Sequence, residues 1–176
     1  PICLALSLFL GIAAGGGIAM VLDLMDRSFH SPEDVGQTLS LPVLAMVPSL
    51  KPRPKEQWAL IEGASVDSTV CAFHAPGSTQ AEVFRGLRTH LLFASQDKPM
   101  RVISVTSPKP GDGKSTVTAN LAFSMAQAGR TVLLVDCDMR KPRMDKLIGG
   151  ELSPGLSEVL RDKHDPWASM QTFEEL

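Results

Sequence analysis

The stretch Ser107-Pro108-Lys109-Pro110-Gly111-Asp112-Gly113-Lys114-Ser115-Thr116 has the residue types needed to hold a phosphate. Gly111 and Gly113 let the backbone curl until several N–H groups point inward at one anion. A helix opening at Lys114 aims the positive end of its dipole at the same place. Lys114 can reach the outer oxygens of a triphosphate, Ser115 can give its hydroxyl to Mg²⁺, and Thr116 can help hold the innermost phosphate. Further along, Val135-Asp136-Cys137-Asp138-Met139-Arg140-Lys141-Pro142 carries two carboxylates two residues apart. One could order metal-bound water and the other accept a proton from an attacking hydroxyl. Plainer readings stand beside both: a turn that contains Gly-Lys-Ser-Thr, and a polar turn with Asp136 as a cap.

The flanking elements favour the chemical reading. Val102 to Thr106 (VISVT) is a β-branched apolar run that leads straight into the loop. A helical stretch follows, with Val117, Leu121, Met125 and Ala128 on one face and Gly129 at its end. Thr131 to Val135 (TVLLV) is a second apolar run and delivers Asp136. Strand, glycine-rich loop, helix and strand form the βαβ context that a phosphate loop requires. Continuous apolarity predicts parallel strands covered on both faces. Ligands of such sheets sit at the carboxyl ends of the strands, where both acids would emerge. Pro108 stands where the strict Walker A pattern has glycine.

Upstream, Thr79-Gln80-Ala81-Glu82 reads as a capping box opening an amphipathic helix, AEVFRGLRTHLLFA, that ends before Ser95. Val83, Leu87 and Leu91 would form its apolar face, with Phe84 and Leu92 beside them. Glu82, Arg85 and Arg88 lie three residues apart on a neighbouring stripe. On physical grounds that stripe is an ordinary solvated face with one ion pair and a cap.

From Pro1 to Leu22 the chain carries no charge, and Asp23, Asp26 and Arg27 then close the run. As a helix it would be roughly 33 Å long, which matches a hydrocarbon core. A signal peptide would want a basic region before it, and a buried soluble helix would want a polar face. A transmembrane helix therefore accounts best for the run. Gly11 and Gly15 make a small-xxx-small pair, although glycine is common in membrane helices anyway. The basic residues downstream (Arg27, Lys51, Arg53 and Lys55) give only a one-sided orientation count. Ser31-Pro32-Glu33-Asp34 predicts a short helix stopping near Ser40, ahead of Pro42. Val43 to Val47 reads as a strand or a packed segment, and residues 49 to about 78 as a partly ordered connection.

The chain has 176 residues, 44% hydrophobic and 20% charged, with a net charge of −2 and no tyrosine. This excludes a disordered tail and a strongly basic nucleic-acid binder. Three cysteines (Cys3, Cys71 and Cys137) match no metal spacing and suit a reducing compartment. Chain ends at Pro1 and Leu176 suggest a fragment.

VISVTSPKPGDGKST followed by TVLLVDCDMRKP resembles the Walker A and Walker A′ motifs of bacterial tyrosine kinases. These are the polysaccharide co-polymerase autokinases of capsule and exopolysaccharide synthesis. The likeness extends over nearly the whole chain. The apolar N-terminus and DRSFHSPEDVGQTLSLPVLAMVP resemble the last membrane helix of a chain-length-determinant module and its cytoplasmic exit. AEVFRGLRTHLLFA resembles the family's E-x-x-R-x-x-R helix.

The resemblance implies an α/β fold: a P-loop NTPase-type parallel sheet with flanking helices, incomplete here, preceded by a transmembrane helix. It implies a membrane helix over 1–22, a cytoplasmic connector over 23–78 and the first part of the kinase domain over 79–176. The cofactors would be ATP and Mg²⁺. Lys109, Pro110, Gly111, Asp112, Gly113, Lys114, Ser115, Thr116 and Arg140 would bind nucleotide. Ser115, Asp136 and Asp138 would serve the metal, and Lys114, Asp136 and Asp138 catalysis. Glu82, Arg85 and Arg88 would mediate a ring-like homo-oligomer. Other partners would be the chain-length-determinant module, the polysaccharide polymerase and export machinery, and a protein-tyrosine phosphatase, with no nucleic acid. The setting would be the bacterial inner membrane, with the kinase domain cytoplasmic. The family's Walker B aspartate and tyrosine cluster have no counterpart after Asp138, which fits truncation. Two other readings remain open: an ATPase switch like the partition and septum-site ATPases, and a non-catalytic chain-length regulator that senses ATP.

Overall fold

The computed structural model describes residues 2–25, 32–50, 65–94 and 100–173. The chain divides into two compact units, Pro1–Val43 and Leu44–Leu176. The basic residues Arg27, Lys51, Arg53 and Lys55, the cap Ser31 and the helix-ending Ser95 lie outside the described residues.

In the first unit, α1 spans Ile2–Met25. Residues Ser7–Met25 are long and apolar enough to cross a membrane, and none of that window is buried. The helix runs three residues past the end of the charge-free stretch and carries Asp23 in its last turn. The next helix, α2, spans Pro32–Leu39 with Glu33 and Asp34 in its first turn, as the sequence predicts. It stops at Ser40, which adopts φ +53°.

The second unit is built around one helix. α3 spans Cys71–His74, α4 Thr79–Ala94, α5 Lys114–Ala126, α6 Met144–Ile148 and α7 Leu156–Val159. Helices α3, α4 and α6 all pack on α5. The core joins Val66, Val70, Ala72 and Phe73 to Ala119 and Phe123 of α5 and to Met144 and Leu147 of α6. Phe73, Phe123 and Phe173 meet with ring centroids 5.2–5.8 Å apart. Residues 65–74 therefore supply much of the core, although their sequence shows no period. Their order comes from tertiary burial rather than local pattern. Val43 to Val47 forms no strand; Leu44, Ala45 and Val47 are half-buried, and the Leu44 carbonyl lies 2.5 Å from Nδ1 of His90 on α4.

Helix α4 begins one residue earlier than a Thr79 cap would allow. Ser78 is the cap: its Oγ accepts the N–H of Ala81 at 3.1 Å, and its carbonyl accepts the N–H of Glu82. The Glu82 side chain turns to Arg85 instead of reaching back. Phe84, expected beside the apolar face, is fully buried together with Ala81, while Val83, Leu87 and Leu91 are half-buried and Leu92 is exposed.

Among the described residues no strand is assigned. Val102 to Thr106 and Thr131 to Val135 flank α5 without a backbone ladder, which needs a partner strand for each. Exposure nevertheless alternates along the second run. Leu134, Asp136 and Asp138 are partly buried, while Leu133, Val135 and Cys137 are exposed. That period of two is the signature of a chain with one covered face. It differs from the expected burial on both faces: Val102 is 85% and Leu133 64% exposed.

Gly149 ends α6 at φ +72°, and a Cβ there would collide with Ser65 Oγ and stand 2.9 Å from the Ser65 carbonyl oxygen. Gly149→Ala combines a left-handed backbone with a steric clash, so we expect a loss of about 1–3 kcal/mol. A thermal unfolding midpoint lowered by several degrees would match this. An unchanged midpoint would show that the 65–67 and 149–150 segments separate freely.

Candidate functional site

The loop before α5 is shaped by its glycines and one aspartate. Gly111 and Gly113 adopt φ +93° and +88°, with no atom within 4 Å of where a Cβ would stand. Asp112 Oδ2 accepts the N–H of Lys109 at 3.0 Å, and Ser107 Oγ donates to the Lys109 carbonyl at 2.9 Å. Pro108 and Pro110 lie inside this braced turn. The first intrahelical bond of α5 runs from the N–H of Val117 to the carbonyl of Gly113, 2.8 Å. The N–H groups of Lys114, Ser115 and Thr116 therefore precede the helical ladder and are available to an anion.

The acids arrive on the covered side of the 131–138 run, beside that helix start. Lys114 Nζ lies 2.9 Å from Asp138 Oδ2, so the two motifs meet directly. Asp138 Oδ1 accepts the N–H of Lys141 at 3.0 Å and that of Arg140 at 3.3 Å. The Lys114 ammonium, with the Lys141 N–H next in weight, holds the Asp138 carboxyl below the usual carboxylate range. Asp136 is held by backbone alone. Its Oδ1 accepts the N–H of Asp138 at 2.9 Å, and its Oδ2 those of Arg143 and Met144 at 3.0 and 3.1 Å. Asp136 thus caps the turn into α6, as the plainer reading had it. A carboxylate offers about four lone-pair positions, so capping leaves room for a further ligand. Arg140 is exposed, and its guanidinium has no partner among the described residues.

These residues fit a nucleotide phosphate with Mg²⁺. The open cradle at Gly111 and Gly113, the free N–H groups and the ammonium suit the anion. Among the described residues no three His, Cys, Asp or Glu side chains group to hold a metal. Mg²⁺ characteristically takes one or two carboxylates and completes its shell with phosphate and water. Ser115, Asp136 and Asp138 offer oxygen atoms of that kind within the loop and turn.

Glu82, Arg85 and Arg88 separate into two roles. Arg85 pairs with Glu82 and donates to the Pro76 carbonyl at 2.7 Å. Arg88 continues the inward stripe of Ala81 and Phe84. It donates to the carbonyl of Ser124 in the last turn of α5 and lies 3.3 Å from the Ser124 hydroxyl. A guanidinium at a helix C-terminus meets the negative end of its dipole.

The residue that sequence reasoning missed is Asn120, which is wholly buried. Its Oδ1 accepts the N–H of Ala72 at 2.9 Å and the Cys71 thiol at 3.2 Å. Its Nδ2 donates to the carbonyls of Thr69 and Thr116 at 3.0 and 2.9 Å. Asn120 thereby fastens the first turn of α5 to the segment entering α3. Burial pushes the Cys71 thiol up to about 11, so it stays protonated as a donor. The available signal was a polar residue in mid-helix, four positions after Thr116.

Comparison with known proteins fits this geometry. Residues 98–171 match a ParA family model described as a NUBPL iron-transfer P-loop NTPase. The chain is 40% identical over 113 residues to the tyrosine-protein kinase YwqD of Bacillus subtilis, covering 64% of this chain and 48% of that protein. It is 32% identical over 173 residues to the succinoglycan biosynthesis transport protein ExoP of Rhizobium meliloti, covering 89% of this chain and 22% of that one. Among solved structures, the BceF tyrosine kinase domain superposes with a TM-score of 0.63 at 34% identity, over 81% of this chain and 57% of that one. The chain spans about half or less of the curated relatives just named. Within that span, on a P-loop NTPase fold, it is a homologue of the bacterial tyrosine-protein kinases.

Proposed function

We propose that the chain supplies the nucleotide-binding part of an ATP-dependent protein-tyrosine autokinase that regulates exopolysaccharide or capsule chain length and export. The observation that carries this reading is the 2.9 Å approach of Lys114 to Asp138, which joins an anion cradle to a carboxylate pair. The names of YwqD and ExoP support the chemistry and the setting respectively. In the reaction a tyrosine phenol oxygen forms a bond to the γ-phosphorus, the bond to the β,γ-bridging oxygen breaks, and ADP leaves with the electron pair. Lys114 and the N–H groups opening α5 bind the phosphates and neutralise charge, with Lys109, Arg140 and the loop glycines lining the same nucleotide. Asp138 or Asp136 receives the phenolic proton. Ser115, Asp136 and Asp138 would hold Mg²⁺, which when bound would supply further charge neutralisation. The apolar runs at 102–106 and 131–135 would join a parallel sheet. Within this reading, residues 1–22 anchor the protein in the inner membrane, 23–78 connect and 79–176 open the cytoplasmic kinase domain. Glu82, Arg85 and Arg88 serve a ring of copies, and a phosphatase reverses the modification.

Phosphotyrosine detection on the full-length protein tests this, with wild type beside Lys114→Met and Asp136→Asn. Strong signal in wild type and loss in both variants is the expected result. Equal phosphorylation in all three would overturn the assignment. The ParA-type match favours a second reading, an ATPase switch. That reading predicts ATP hydrolysis by wild type with no phosphotyrosine at all.

A further inference from the structure

Immediately after the two acids lies a shallow cavity of about 450 Å³, lined by Lys141, Pro142, Arg143, Asp145, Lys146 and Leu152. Three cations face it. Among the described residues none of them is in an ion pair, whereas Lys114 and Arg85 are. The one carboxylate present, Asp145, has its Oδ1 buried without a hydrogen-bond partner. The cavity therefore offers positive charge and apolar lining from Pro142 and Leu152. Its position is fixed relative to the reacting groups. The Lys141 N–H donates to Asp138 and the Arg143 N–H to Asp136.

The geometry points to an acceptor-docking pocket: the cavity receives a peptide segment whose acidic side chains flank the tyrosine to be phosphorylated. A free phosphate would satisfy the cations but leave Pro142 and the exposed Leu152 without an apolar partner. A peptide supplies carboxylates for Lys141, Arg143 and Lys146 and apolar side-chain surface for Pro142 and Leu152. The nucleotide is accounted for by the cradle at Gly111–Thr116, which shares no residue with this cavity. Charge complementarity of this kind sets partner choice and encounter rate. The inference rests on the kinase reading and specifies the acceptor class for that site.

The test separates the two. Binding of a fluorescent peptide with glutamates flanking a phenylalanine, in place of tyrosine, is followed by anisotropy on the full-length protein, so no catalysis is needed. A lysine-flanked peptide is the control, and a fluorescent ATP analogue reports the nucleotide site. Wild type should bind the glutamate peptide at least tenfold tighter than the lysine peptide. Lys146→Glu, an exposed surface change, should abolish or reverse that preference without moving affinity for the ATP analogue. Lys141→Glu should act in the same direction. Equal binding of the two peptides by wild type overturns the pocket. So does a preference that survives both reversals, or a loss of affinity for the ATP analogue in Lys146→Glu. A charge-dependent preference in a protein that phosphorylates no tyrosine would leave the pocket standing as an acidic-peptide site and remove the kinase reading alone.

Discussion

Asn120→Leu is expected to destabilise the second unit by about 2–4 kcal/mol. Leucine keeps the branched outline of the side chain but is bulkier, so some crowding adds to a loss that is mainly polar. Two groups are stranded in a dry interior: the N–H of Ala72 and the carbonyl of Thr69. Each unsatisfied buried group costs about 1–3 kcal/mol. The Thr116 carbonyl keeps its place in the helix, and the Cys71 thiol loses a weak partner. Asn120→Asp makes a sharper comparison. Aspartate still accepts from Ala72 and Cys71 but turns an oxygen toward two carbonyls. A buried carboxylate in that setting is driven to take up a proton, which then donates to one of them. The folded-state pKa of the new group is raised, so its penalty is small at acid pH and grows as pH rises past the ordinary carboxylate range. Denaturant melts at pH 5 and pH 8 would read this directly. The Asp variant should lose stability between the two pH values relative to wild type, while the Leu variant should track wild type. A Leu variant as stable as wild type would mean that water enters the site and the network is not closed.

The same network explains what the sequence revealed and what it hid. The loop Ser107–Thr116 and the turn Val135–Pro142 were legible because their residue types are demanded by local chemistry. Glycines at positive φ, a lysine at a helix start and acids two apart have few other uses in that order. Helices α2, α4 and α5 were legible in extent, since caps, prolines and Gly129 mark their ends. Their buried faces were legible only in part. Periodicity puts Val117, Leu121, Met125 and Ala128 on the inner face of α5; Leu121 is buried there, but the helix also buries Ala119, Asn120, Phe123 and Ser124. Asn120 and Ser124 are polar and hidden only because each has a partner: Asn120 in the entry to α3, Ser124 in Arg88. Arg88 itself completes the stripe of Ala81 and Phe84, so a charged side chain marks the inner face of α4 where apolarity pointed elsewhere. Residues 65–74 lack any period because four-residue α3 is held by those contacts rather than by its own amphipathicity. The strands stayed open for a related reason. A ladder is a property of two chains, and the alternation at Leu134, Asp136 and Asp138 records only the covered face of one.

The largest functional effect is expected at Lys114 and Asp138, and it should split binding from turnover. The two side chains pair at 2.9 Å, so an incoming phosphate must draw Lys114 away from its carboxylate. Asp138→Asn removes that competitor, and affinity for Mg²⁺-free nucleotide should rise several-fold. The same change removes a metal donor and a proton acceptor, so phosphoryl transfer with Mg²⁺ should fall by about 10²-fold or more. Lys114→Met should lower both, because the ammonium serves the ground state and the transition state alike. Thermal shifts give the binding half. Nucleotide at one hundred times its Kd adds about 2.7 kcal/mol to wild-type stability. That increment should persist in Asp138→Asn at lower nucleotide concentration and collapse in Lys114→Met. The pH dependence follows from the sign of the Asp138 shift. Lys114 holds its carboxyl below the usual carboxylate range, so the pair is intact at neutral pH and is lost only as pH falls through that lowered value. Between pH 5 and 8 Asp138 should therefore add no titration step to nucleotide affinity, and wild type and Asp138→Asn should differ by a constant factor. Tighter nucleotide binding with slower transfer would identify the pair as a contact broken on nucleotide entry. Weaker binding in Asp138→Asn would mean that the carboxylate orients Lys114 for the phosphate instead of competing with it.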